Sequence, residues 1–158
     1  MILSRSAEYA LRIMAFLALA AQEADLKSLR AKDLAEKLDV PVFYISKVLR
    51  RMVEAGLLRG VKGHGGGFTL AQPARKIRFI DIFEAIEGSI EARRCVFGWS
   101  LCSSSSPCVL HHRWSELNDA FHKWARKTTL SDVQKDVAER GPQSIFSEIS
   151  FLDPKCRT

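Results

Sequence analysis

Between residues 31 and 70 the sequence changes its periodicity twice, and that succession restricts the fold more than any other feature. Residues 31–38 put Leu34, Ala35 and Leu38 on one helical face. Asp39-Val40-Pro41 ends that helix, because a residue before proline is pushed out of helical backbone and proline suits the start of a new helix. The new helix is expected over 42–54, with Ile45, Val48, Leu49 and Met52 inside and Ser46, Lys47, Arg50 and Arg51 outside, and Gly56 is its C-terminal stop. Then the period drops to that of strands. Leu57–Val61 and Phe68–Leu70 flank Lys62-Gly-His-Gly-Gly-Gly67, which reads as a two-stranded hairpin.

Two short helices with a tight turn, the second one basic, form a helix-turn-helix. Asp39 stands where such turns often carry glycine, and Asp tolerates left-handed backbone better than most residues. The helices alone would also fit an ordinary helical hairpin; the β-hairpin directly after them makes a winged helix-turn-helix. The glycine run is not a phosphate loop, since no Gly-Lys-Ser/Thr follows it and no helix opens there. As a wing tip it can lie close to a phosphate backbone or enter a narrow minor groove, with Lys62 and His64 as donors. Phe43, Tyr44, Ser46 and Lys47 are the candidate groove-facing residues. Arg50, Arg51, Arg59 and Lys62 are expected to meet phosphates, giving affinity that falls with salt. The formal charge of +6 on 158 residues permits such a partner without requiring it.

The flanks complete a mainly α chain. A first helix is expected over 5–21, with Ala10, Ile13, Met14, Leu17 and Ala21 along one face; Glu8 and Arg12 argue against a secretory signal. No run is long enough to span a membrane, so a reducing, cytoplasmic setting is expected. Residues 79–87 read as a helix through Phe79, Ile82, Phe83 and Ile86, ended by Gly88. From Val109 to Lys127, Leu110, Trp114, Leu117, Phe121 and Trp124 recur in alternating steps of four and three. This is a heptad-like seam that either packs on the chain's own core or, as expected here, pairs with a second copy as a long dimerisation helix. Thr129-Leu130-Ser131-Asp132 opens a further segment, and residues 143–152 carry a helical spacing through Ile145, Ile149 and Leu152. The expected division is 1–75 for DNA binding, 76–130 for the connecting helix, cysteine loop and dimerisation helix, and 131–158 for a tail.

Chemistry concentrates in Cys95–His112, which holds three of the four cysteines as C-x6-C-x5-C. Its filler is small, polar or turn-forming, so the loop buries little, and a metal would supply the missing order. Cys108 falls near the start of the long helix, where the macrodipole favours negative charge. Adding His112 gives C-x6-C-x5-C-x3-H, close to a CCCH zinc pattern. A metal-free switch through a Cys102–Cys108 disulfide is the other alternative, and Cys156, alone in a polar tail, is read as incidental. No nucleophile motif, carboxylate pair or nucleotide loop supports an enzyme.

Ser4–Leu11, the helix-turn-helix, the wing, Ile86-Glu87-Gly88, the cysteine loop and Thr129–Asp132 come in an order that resembles the IscR/NsrR/RirA-type (BadM/Rrf) winged-helix regulators over roughly residues 1–135. The resemblance implies a homodimeric transcription regulator, most often a repressor, on an imperfectly palindromic double-stranded DNA operator. It also implies an iron–sulfur cluster, [2Fe-2S] or [4Fe-4S], on Cys95, Cys102 and Cys108, and a response to iron, redox state or nitric oxide. A fourth ligand is needed, and two candidates match family members: His111, completing Cys-x-x-His, and Glu8, a carboxylate from the partner's first helix. This chain departs from the pattern at Ser46, where IscR proteins carry an acidic residue, so its operator is not expected to be simply theirs.

Overall fold

The computed structural model describes residues 3–22, 28–63, 65–88, 97 and 104–141. Among them are six α-helices and one two-stranded antiparallel sheet, so the chain is mainly α with a wing. The helices are α1 (Arg5–Ala20), α2 (Ala31–Leu38), α3 (Val42–Glu54), α4 (Phe79–Glu87), α5 (His111–Lys127) and α6 (Leu130–Arg140). The strands are β1 (Leu58–Val61) and β2 (Gly67–Leu70), and a 3-10 turn covers Ala74–Lys76. The spacing of residues 143–152 and Cys156 lie outside the described residues.

Helix α1 is the centre of the body. A single buried face was expected, yet every residue from Ile13 to Ala20 is buried. The reason is that α4, α6, α3 and β2 all pack against it, and a helix apolar all round is stable only when enclosed in this way. Phe16, Ile13 and Met14 meet Leu34, Ile45, Leu49, Met52, Ile82 and Phe83 in one contiguous core. Ser4 caps α1, its hydroxyl accepting from the Ala7 N–H at 3.2 Å.

The turn between α2 and α3 is built as the sequence implied. Asp39 lies in the left-handed region at φ 51°, ψ 50°, and among the described residues no other non-glycine has positive φ. Its N–H and that of Val40 close the end of α2 on Glu36 and Ala35 carbonyls. In the hairpin the pairs are Leu58 with Leu70, Arg59 with Thr69, Gly60 with Phe68 and Val61 with Gly67.

One connection was not legible in advance. Residues 28–30, which precede α2, lie beside the wing: Leu29 and Phe68 exchange N–H···O bonds of 3.0 and 2.8 Å. The Ser28 hydroxyl donates to the Gly65 carbonyl at 2.6 Å. A Cβ on Gly67 would stand 2.5 Å from the Leu29 carbonyl oxygen, so the absent side chain is demanded by the protein's own backbone.

Helix α5 leaves the body at one end. Thr128 accepts from the Phe79 N–H at 2.9 Å, the Leu130 N–H donates to Ile77 at 3.0 Å, and Ala125 is fully buried. Toward its N-terminus Leu110 and Leu117 are exposed.

Candidate DNA-reading face and cysteine segment

On α3 the apolar stripe of Ile45, Val48, Leu49 and Met52 faces the core. Phe43, Ser46, Lys47 and Arg50 are left on the outside, with Arg59 and Lys62 exposed on and beside β1. His64 lies outside the described residues. The outward groups are not equally available. The Ser46 hydroxyl donates to the Val42 carbonyl at 2.8 Å, which occupies its only proton. Arg50 pairs with Glu54 at 2.9 Å, but both side chains are largely exposed, so solvent weakens the pair and leaves the guanidinium free to exchange partners.

Two of the sequence-selected residues have inward partners. Tyr44 is half-buried, with its hydroxyl 2.7 Å from that of Ser6 and its ring edge-on to Tyr9 at 5.5 Å. Arg12 of α1 sits over Tyr9, 6.0 Å from the ring centroid. Arg51 Nη1 donates to the Ile86 carbonyl at 2.7 Å, filling an acceptor that the end of α4 leaves open. The Ser4 hydroxyl also donates to the Glu87 carboxylate. The N-terminus of α1, the outer face of α3 and the C-terminus of α4 are thus joined by three side-chain hydrogen bonds. Sequence periodicity gives no sign of such bonds, because each links positions distant along the chain.

In the sequence, Ile86 and Glu87 of that joint precede the cysteine segment that begins at Cys95. Cys95 and Cys102 lie outside the described residues. Cys108 is half-buried, and its carbonyl accepts from the His111 N–H at 3.0 Å, which places it just ahead of α5 as expected. His111 is buried, with its ring 5.5 Å from that of His112, and Glu8 is half-buried in the first turn of α1. Among the described residues no three His, Cys, Asp or Glu side chains converge as a metal site. The donors fit an iron–sulfur group in kind: three thiols on one segment, with the third beside a helix N-terminus that favours negative charge.

The candidate dimer seam divides. Phe121 and Trp124 turn partly inward, Phe121 lying 5.4 Å from Phe83 and Trp124 standing edge-on to Phe79 at 5.4 Å. Trp124 nevertheless keeps 44% exposure and Leu117 48%, while Trp114 is half-buried. The chain's own core therefore takes only part of this stripe.

A basic helix set on a left-handed turn and followed by a two-stranded wing is the architecture of a winged helix-turn-helix domain. The chain belongs to the Rrf2 family, described as "Iron-dependent Transcriptional regulator", whose model matches residues 3–136. It is 30% identical over 136 residues to the HTH-type transcriptional regulator IscR of Cereibacter sphaeroides, covering 85% of this chain and 87% of that one. Among solved structures it is similar to IscR of T. potens, with 25% identity, a TM-score of 0.68 and coverage of 87% and 88%. It is also similar to the oxidized form of CymR from Staphylococcus aureus, with 28% identity, a TM-score of 0.62 and coverage of 82% and 93%. Membership makes it a DNA-binding regulator, and among the described residues no helix is long and apolar enough to cross a membrane.

Proposed function

We propose that the protein is a homodimeric regulator, acting mainly as a repressor, whose grip on an imperfectly palindromic operator is set by an iron–sulfur cluster on Cys95, Cys102 and Cys108. Glu8 and His111 are the candidates for the remaining ligand. When bound, the group supplies iron whose charge and ligand set change with oxidation, nitrosylation or iron supply. The carrying observation is the joint at the end of α4. A change in the backbone that leaves Gly88 toward Cys95 is felt first at Ile86 and Glu87. Arg51 passes it to the recognition helix and Ser4 passes it to α1. The exposed residues Leu110, Leu117 and Trp124 supply a surface for the second copy, which sets two recognition helices about one DNA turn, ~34 Å, apart.

Anaerobic purification of the full chain from iron-replete cells tests this reading. Expected are a brown dimer with visible absorption, recoverable iron and acid-labile sulfide, and operator affinity that responds to oxygen or nitric oxide. The Cys95→Ala/Cys102→Ala/Cys108→Ala variant should lose both colour and response. An unaltered response in that variant would sink the proposal. A second reading, a thiol switch without metal, is favoured by the similarity to an oxidized CymR structure. It predicts a colourless protein that forms a Cys102–Cys108 disulfide on oxidation, visible by mass spectrometry. One zinc per chain without sulfide would instead favour the CCCH arrangement with His112.

A further inference from the structure

Helix α3 begins with an apolar tip. Pro41, Val42 and Phe43 are consecutive exposed residues, Val42 at 48% and Phe43 at 74%, on a helix whose first turn carries no acidic residue. The core does not explain them: its needs are met by Ile45, Val48, Leu49 and Met52 on the opposite side. The rotation of the helix is fixed where it matters. Tyr44, the next residue, is held to α1 through Ser6 and Tyr9, which keeps Phe43 turned outward. Phe43 shares its stripe with Lys47 and Arg50, both cationic and exposed, so the ring sits within a surface that attracts a polyanion. The nearest polar reader is engaged, since Ser46 gives its proton to the Val42 carbonyl.

Resting on the reading of α3 as the recognition helix, we propose that Phe43, supported by Val42, reads the 5-methyl group of thymine in the operator's major groove. Residues at the start of a recognition helix are those that reach base edges. Among the four bases only thymine presents a methyl there, and apolar side chains are its partners. Lys47 and Arg50 then hold the backbone alongside. The site therefore selects a thymine through contact with its methyl and makes no hydrogen bond to that base.

The test replaces thymine by uracil, which removes the methyl and leaves base pairing and every hydrogen-bonding edge intact. The operator is first selected from random-sequence duplexes with the full-length protein, and each thymine of a half-site is then changed singly to uracil. Wild-type protein is expected to lose roughly fourfold in affinity at one or two positions per half-site, the worth of one buried methyl-sized group. Phe43→Ala is expected to bind the thymine operator more weakly and to be indifferent to uracil at those positions. Its melting curve serves as the folding control, because the ring is exposed. Uracil tolerance at every position in the wild type overturns the proposal, and so does uracil sensitivity that persists unchanged in Phe43→Ala. Recovery of no preferred duplex at all would instead bring down the DNA-reading assignment beneath it, including the case in which the apolar tip serves a protein partner.

Discussion

Helices α1 and α5 are of nearly equal length, 16 and 17 residues, and they are used in opposite ways. Ten residues of α1 are buried within the chain, whereas α5 buries only His111 and Ala125. Both carry large apolar residues, but α1 is apolar over most of its length, while α5 sets Trp114, Leu117, Phe121 and Trp124 in a mainly polar sequence. Their surroundings differ accordingly. Four elements enclose α1, while α5 is held mainly at its C-terminal end, by Phe121, Trp124 and Ala125 against α4. In the proposed dimer the second copy covers the part of α5 that the described residues leave exposed. Helical residues that no tertiary surface covers are marginal in water.

The largest expected effect lies in the enclosed helix. Phe16 is fully buried, and Phe16→Ala should cost about 3–5 kcal/mol, a sizeable part of a small domain's stability. Urea unfolding followed by circular dichroism measures it. A loss below about 1 kcal/mol would mean that α1 is not the centre of the core. Leu117 on α5 is the counterpart. Leu117→Glu puts a charge on the exposed seam, and it should shift the dimer toward monomer by tenfold or more in dissociation constant. A charge at a buried interface position costs roughly 2 kcal/mol or more. Analytical ultracentrifugation reads the shift, and an unchanged sedimentation profile would remove α5 from the interface.

These two positions also show what the sequence could reveal. The apolar spacing of α2, α3, α4 and α5 was plain because periodicity is a local property. Asp39 was legible for the same reason, since a left-handed turn before Val40-Pro41 needs a residue that tolerates it. Enclosure is not local. That α1 is buried on every side from Ile13 to Ala20, or that Phe121 and Trp124 pack against Phe79 and Phe83 while Leu117 stays exposed, depends on elements far away in the chain. The same limit applies to the candidate site. Phe43, Lys47 and Arg50 could be read as outward-facing from the helical phase alone. Tyr44 and Arg51, on the same helix, have partners on α1 and α4. Their hydrogen bonds span 38 and 35 residues, beyond any periodic signal.

Gly67 sharpens the comparison at a place where no side chain is buried. The wing is attached to the body through the Leu29–Phe68 exchange, and that approach leaves no room for a Cβ at Gly67. The obstacle is a backbone carbonyl, which cannot swing aside as a flexible side chain would. Gly67→Ala should therefore destabilise by about 1–3 kcal/mol, the usual range for overpacking. Amide exchange at Leu29 and Phe68 should speed up before that of α1 does. If α1 amides accelerate equally, the wing and body unfold as one unit and the distinction between them is lost.

The smallest effect is expected at Asp132, in the helix that lies against α1 and follows the anchored end of α5. Its carboxylate accepts from the Thr129 N–H and from the Thr129 hydroxyl, both at 2.8 Å. These bonds favour the charged form and hold the group below the usual carboxylate range, the backbone bond contributing most and Lys135 little. A depressed folded-state value means that the stabilisation is fully present above the ordinary carboxylate range. It fades as pH falls toward and through the lower folded value. The side chain is nearly half exposed, so the amount is modest: Asp132→Asn should cost about 0.3–1 kcal/mol at neutral pH, the range for a carboxylate in a helix's first turn. Urea midpoints of wild type and variant should converge as the solution is acidified. A gap that stays constant into acid would assign the effect to side-chain geometry, with α6 held to α1 by Leu130, Val137 and the Gln134 bond to the Ala18 carbonyl whatever the charge at its start.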